Sequence, residues 1–344
     1  MAQRSLQHNA DRATARRLQH NSHFQFQDIP LDVASQILVL ATATSAYWGT
    51  YKSLIKVSRA MQALVYDACF PYLPIMLHTK QHVDSFCLLL ASHTTLIGPR
   101  IRSLWFIAGV KADVERTTGL DILKKCTGIT HLACRINLLS ALVSESQALV
   151  HHGLRHLTLI EAIVPWKLLL SQPAACQLFM QLTHLRVSGG SQFVKPDFCF
   201  ASLSHLSFAC HDLSTCVTPK PTPTSPFPPA QFPALVQIVP SIPYMYWRLK
   251  NPEALHTSGV AIDGRIHALA CPKKWKEADI WESARRGGKD LWGRARTGEY
   301  LQKSRAFTLE PRTTGRGRRA RRSDWDDWGW DSDEYGPFGG ETGL

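Results

Sequence analysis

A chain of 344 residues, 44% hydrophobic and 19% charged, has the composition of a folded protein and room for one or two domains with a sizeable core. Its longest clear apolar run, Phe86 to Ala91, falls far short of the ~20 residues a bilayer crossing needs, which excludes a transmembrane helix and removes a membrane from the expected partners. The formal net charge of +12 is uneven, with five arginines between Arg316 and Arg322, so the excess belongs partly to a tail and nucleic acid is not an expected partner.

Residues 1–25 are polar, carry Arg4, Arg12, Arg16 and Arg17, lack the apolar core of a secretory signal, and read as a disordered basic arm. The character changes at Asp28, a candidate N-cap with Pro30 in the first turn. Val33, Ile37, Leu38 and Leu40 follow at helical spacing. A second helical stretch carries Leu54, Val57, Met61, Leu64 and Val65 and stops near Pro71. Residues 26–80 are therefore expected to form a helical module of two or three helices.

From about residue 100 a spacing recurs: apolar-x-x-apolar-x-apolar. It appears as Ile101-Leu104-Phe106, Ile129-Leu132-Cys134, Leu154-Leu157-Leu159, Leu182-Leu185-Val187 and Leu203-Leu206-Phe208. The starts lie 28, 25, 28 and 21 residues apart, close to the period of a leucine-rich repeat. In such a repeat the L-x-L pair turns inward from a short strand, and an Asn or Cys satisfies backbone groups where the chain turns away. Asn137 and His211 stand at that position here. Helix-compatible stretches, Ser140–Val150 and Trp166–Leu182, separate the segments. The spacing predicts an α/β fold, an irregular leucine-rich-repeat-like solenoid over residues 81–300. Its outward strand residues form a concave face, with Trp105, His131, His156, Thr158, His184, Arg186 and His205 as candidate contacts to a substrate, and Ser103, Ala133 and Ser207 beside them. Histidine stands next to the central leucine in four segments.

Thr218–Pro229 cannot be helix or central strand and reads as a Pro-rich insertion. Phe232–Val239 is a further candidate strand. Lys274–Arg296, with Trp275, Ile280, Trp281, Leu291 and Trp292, suggests two short helices broken at Gly287-Gly288. Residues 301–344 form an Arg/Trp/Asp-rich tail expected to be disordered.

Chemistry is sparse. No P-loop, dinucleotide-binding glycine fingerprint or GxSxG elbow is present. His78 and His82 have the spacing of a zinc helix without its glutamate, and the repeat register accounts for the cluster His205, Cys210, His211 and Cys216. No catalytic residue, cofactor or metal is expected, so the chain reads as a non-enzyme. Nine cysteines, spread singly and mostly in apolar surroundings, point to reduced thiols and a cytoplasmic or nuclear protein.

Ile29-Pro30-Leu31-Asp32-Val33 with Ile37-Leu38, then Val57-Ser58 with Met61 and Leu64, resembles an F-box. Asp263-Gly264-Arg265-Ile266 with Leu269, and WESARRGGKDLW from Trp281 to Trp292, resemble the closing elements of leucine-rich-repeat-like proteins in the large fungal F-box families. The resemblance implies an N-terminal F-box-like module that docks on the Skp-type adaptor of a cullin ubiquitin ligase. Ile29, Pro30, Leu31, Val33, Ile37, Leu38, Val57, Ser58, Met61 and Leu64 would make that contact. The repeat domain would hold an unknown protein substrate, making the chain a substrate adaptor. The alternative is a repeat scaffold or binding module with a degenerate F-box.

Overall fold

The computed structural model describes residues 29–44, 49–107, 112–145, 151–160, 164–188, 197–210, 227–243, 263–271 and 276–297. The expected basic arm, most of the Pro-rich insertion and the tail lie outside these residues. Two units divide the chain between Cys69 and Phe70. The division precedes the boundary expected at residue 80, because Pro74–Leu77 is a strand of the second unit.

The described residues of the first unit hold three helices, α1 (Leu31–Thr44), α2 (Gly49–Leu54) and α3 (Arg59–Cys69). Ser58 opens α3 by accepting the Met61 backbone N–H at 3.1 Å. Helix α1 is apolar on two stripes. Ala34, Leu38 and Thr42, spaced i, i+4 and i+8, are buried, whereas Val33, Ile37 and Leu40 are exposed.

The second unit is built on eight parallel strands: β1 (Pro74–Leu77), β2 (Ser103–Phe106), β3 (His131–Cys134), β4 (His156–Ile160), β5 (His184–Ser188), β6 (His205–Ala209), β7 (Gln237–Pro243) and β8 (Leu269–Cys271). They pair in chain order. All five segments with the recurring apolar spacing become strands, because their central leucines pair in register. Leu104, Leu132, Leu157, Leu185 and Leu206 form one row, continued by Ile238, and each is almost fully buried. Crossovers α4 (Lys80–Ile97), α5 (Ala112–Lys125), α6 (Ile136–Glu145) and the pair α7 (Trp166–Leu169) and α8 (Pro173–Gln181) connect them. With strand order never reversing, right-handed crossovers all deliver their helices to one face of the sheet.

The opposite face is covered too. Two C-terminal helices, α9 (Glu277–Arg285) and α10 (Leu291–Thr297), lie on it. Trp281 packs on Trp105 and Ala133. Ile280, Leu291, Trp292 and Ala295 pack on Val239 and Leu269. The turn between the helices needs glycine. Gly287 has φ of +80°, and a Cβ on Gly288 would stand 2.8 Å from the Ser283 carbonyl oxygen.

This arrangement corrects the expected fold class. The irregular leucine-rich-repeat-like solenoid leaves its strand face open, and each unit touches only its neighbours. Here one continuous parallel sheet has helices on both faces, the usual condition of a buried parallel sheet. The covering helix brings Trp281 onto a strand nearly two hundred residues earlier in the chain. Asn137 occupies the first turn of α6 rather than a turn leaving the strand, and His211 lies outside the described residues. Nor does the architecture match a solenoid capped by an F-box-like module. The Asp263-Gly264-Arg265 segment is a local clamp: Arg265 pairs with Asp263 at 2.7 Å and donates to the Phe227 carbonyl at 2.7 Å.

Among the buried polar groups of the described residues, His151 has neither of its ring nitrogens compensated. The His151 ring is 1% exposed, neither ring nitrogen has a hydrogen-bond partner, and burial pushes its pKa down to about 4. A polar group left unsatisfied in a core costs about 1–3 kcal/mol. His151→Leu should therefore raise the midpoint of urea unfolding by an amount equivalent to about 1 kcal/mol at neutral pH.

Candidate functional site

Parallel in-register pairing aligns the first residues of β3 to β6, so His131, His156, His184 and His205 form a row across the sheet. Their ring centroids are 4.1, 4.0 and 4.2 Å apart, close to the strand spacing of about 4.8 Å that sets them. A hydroxyl precedes three of the four. Thr130, Thr183 and Ser204 each place a side-chain oxygen 2.8–2.9 Å from Nδ1 of the following histidine. Each hydroxyl donates its own proton to a carbonyl of the preceding strand connection, at Arg102, Arg155 and Thr183 respectively. The oxygen can then only accept, which puts the imidazole proton on Nδ1 and leaves a lone pair on Nε2.

The row is held uncharged. Burial pushes His131 and His184 down to about 3, helped next by the Arg285 guanidinium at His131 and by His205 and then Arg285 at His184. Burial and His131 are the leading causes of the same direction at His156, and burial followed by Arg296 at His205. Two charged rings 4 Å apart would repel by about 4 kcal/mol at an effective dielectric of 20, so adjacent rings of the stack cannot both be charged without a large cost.

Two residues beyond the row on β5, on the same face, Arg186 joins Glu277 to fasten α9 to the sheet. Arg186 is 8% exposed, donates to Glu277 Oε1 through Nε and to Oε2 through Nη2 at 2.6 Å, and reaches Ser207 Oγ at 2.6 Å through Nη1. Ser207 in turn donates to the Val239 carbonyl at 2.7 Å. Helix α10 is tied separately, Gln237 Nε2 donating to the Trp292 carbonyl at 3.1 Å while the Trp292 ring stands edge-on to His184 and His205.

Under the helices lies a half-open cavity of about 50 Å³, lined by His131, His156, Leu157, Thr158, His184, Arg186, Trp281, Arg285, Leu291 and Trp292. Five of the seven residues expected on a substrate-facing surface line it. His205 continues the row beside it, and Trp105 is buried under Trp281. These side chains are covered by the chain's own helices rather than displayed on a free concave face. Trp281, Arg285 and Trp292 were visible in the sequence only as a motif, and Glu277 carried no signal, because its partner lies 91 residues away.

The residues expected to dock on an adaptor are placed unevenly in the first unit. Leu31, Val33, Ile37, Pro30, Val57 and Ser58 are exposed, Ile29, Met61 and Leu64 are half-buried, and Leu38 is buried. His78 and His82 do not share a helix face, since Thr79 caps α4 between them through the His82 backbone N–H. Among the described residues no cluster of three or more His, Cys, Asp or Glu could hold a metal ion, and no helix is long and apolar enough to cross a membrane.

No protein-family model matches the chain, and comparison with curated proteins and with solved structures gives no match either. The resemblance to fungal F-box and leucine-rich-repeat proteins is therefore overturned on both counts, by the absence of any F-box or repeat match and by the doubly covered sheet. The role it implied, a ubiquitin-ligase substrate adaptor or a repeat scaffold with a degenerate F-box, falls with it.

Two predictions follow from the geometry of the site. A histidine with a depressed folded pKa contributes its full stability above the unfolded value of ~6.5 and loses it as pH falls toward the folded value. His131 and His184 should each remove about 1.4 kcal/mol per pH unit between pH ~6 and ~4. Urea midpoints should fall across that window, less steeply in His184→Phe. Separately, Glu277→Ala leaves Arg186 buried and unpaired and should destabilise by about 3–5 kcal/mol, whereas the double variant Arg186→Met/Glu277→Leu should recover most of that loss.

Proposed function

We propose that this protein acts by binding another protein and performs no catalysis of its own. The hydroxyls beside the histidine row support this reading. Each is committed as donor to a carbonyl and as acceptor from an imidazole, so none is an activated nucleophile. Ser207 is likewise engaged by Arg186 and Val239.

The observation that carries the reading is a groove between α4 and α5. It has a volume of about 500 Å³, within the range of ligand-binding clefts, and its wall is formed by Cys87, Leu88, Leu90, Ala91 and Ile122. Leu88 stands at its lip 70% exposed, and the charges around it are Asp84, Asp121 and Lys125. An apolar floor under two carboxylates and one amine suits a peptide segment with an apolar anchor flanked by basic residues. The free buried thiols Cys69, Cys126 and Cys134 favour a reducing compartment, cytoplasm or nucleus, whereas the disulfide at Cys210 points the other way.

A peptide array tests the reading. The full chain should bind peptides with an apolar centre flanked by Lys or Arg in preference to the same centres flanked by Asp or Glu. Leu88→Glu should abolish that binding without altering thermal unfolding, because the side chain is exposed. Equal binding to both sets, or binding indifferent to Leu88→Glu, would overturn it.

A further inference from the structure

The cavity under the C-terminal helices is lined by a guanidinium that has a carboxylate, Asp290, acting on it through space but no hydrogen-bond acceptor among the described residues. Arg285 stands half-buried at the end of α9 and lines the cavity with His131, His156 and His184, and burial is the main influence on its pKa, pulling it down. It makes no hydrogen bond to any described residue. The other cation of the cavity, Arg186, is fully neutralised by Glu277. Of the remaining charges around the row, Arg296 and Asp290 act on His205, and Asp290 also acts on Arg285 while accepting the Gly293 backbone N–H at 2.7 Å. The aromatic walls, Trp281 and Trp292, carry no charge. A guanidinium presents five donors in a planar fork, and one left without acceptors in a partly dry site is costly.

We propose that the space between Arg285 and the imidazoles of His131, His156 and His184 binds a small oxyanion, a carboxylate or inorganic phosphate, together with one proton. A volume of about 50 Å³ admits one such group or one to two waters. The proton is required by the hydrogen-bond geometry. With Nδ1–H of His131 and His184 given to Thr130 and Thr183, Nε2 offers a lone pair that repels an anion. Taking one proton from solvent converts that edge into a donor while the Nδ1 bond stays in place. Arg285 then supplies a forked contact and the imidazolium a second, charge-assisted one. The site is independent of the α4–α5 groove, so either can fail without the other.

The test is calorimetric titration of the full chain near pH 6.5 with sodium phosphate and, separately, sodium acetate, with sodium chloride at matched ionic strength as the reference. Two buffers of different ionisation enthalpy report the protons taken up. One oxyanion per chain should bind saturably with uptake of about one proton, and affinity should rise up to about tenfold for each unit fall in pH. Binding of acetate points to an acidic protein side chain as the natural source, and binding of phosphate alone to the free ion. Arg285→Gln should weaken binding at least about tenfold, and Arg285→Lys, which keeps the charge, should retain part of it even if Arg285→Gln folds poorly. Absence of saturable binding by both oxyanions beyond chloride would overturn the proposal, as would binding without proton uptake or binding unchanged in a folded Arg285→Gln.

Discussion

Strict in-register pairing of parallel strands is the constraint on which the second unit depends. Because each strand repeats the same short pattern and pairs with no offset, equivalent residues become rows running across the sheet. The row of leucines makes one face apolar, and the rows of histidines and of Trp105, Ala133, Thr158, Arg186 and Ser207 make the other mixed. Side chains alternate between faces with period two, so one decision about register settles both surfaces together. The imidazole stack is a direct product: no side chain had to search for its neighbour, since the backbone ladder placed the rings within about 4 Å of each other.

A face bearing histidines, an arginine and a tryptophan cannot be buried as an ordinary apolar face can. Helices α9 and α10 solve this in two ways. Trp281, Leu291 and Trp292 supply apolar area where the sheet offers Trp105, Ala133 and Val239, and Glu277 answers the one strand residue with a permanent charge. Burying that ion pair contributes less to net stability than an apolar substitute would, but it admits only one alignment of α9 on the sheet. The histidines accept burial by giving up their charge. Arg285, answered only through space by Asp290, makes this cavity, rather than any exposed strand surface, the chemically distinctive place on the sheet.

Much of the secondary structure was legible. The spacing of Leu104, Leu132, Leu157, Leu185 and Leu206 located five strands, and Gly287-Gly288 located the break between the last two helices. Other elements were displaced or missed for identifiable reasons. Helix α6 starts at Ile136 rather than near Ser140, since Asn137 was assigned to a repeat turn. Strand β1 was hidden because the segment after Pro71 was counted with the helical module, whereas Pro74 opens an edge strand, where its missing N–H is tolerated. Of the candidate site, the histidine row and Arg186 could be named from the strand pattern, yet the face they share was expected to be open and is covered by α9 and α10. A strand residue that points away from the leucine row is either solvent-exposed or covered by another layer, and a local pattern contains nothing that distinguishes the two.

By itself the sequence determined which segments are strands, which of their residues share a face, and that histidine recurs at one register position, because these follow from a period of two and from residues close in the chain. The covered face, the Arg186–Glu277 bond across 91 residues, the neutral state of the histidines and the position of Arg285 in the cavity were decided only by tertiary structure. Each of those depends on desolvation and on contacts between segments far apart in sequence. Neither quantity exists until the C-terminal helices have docked.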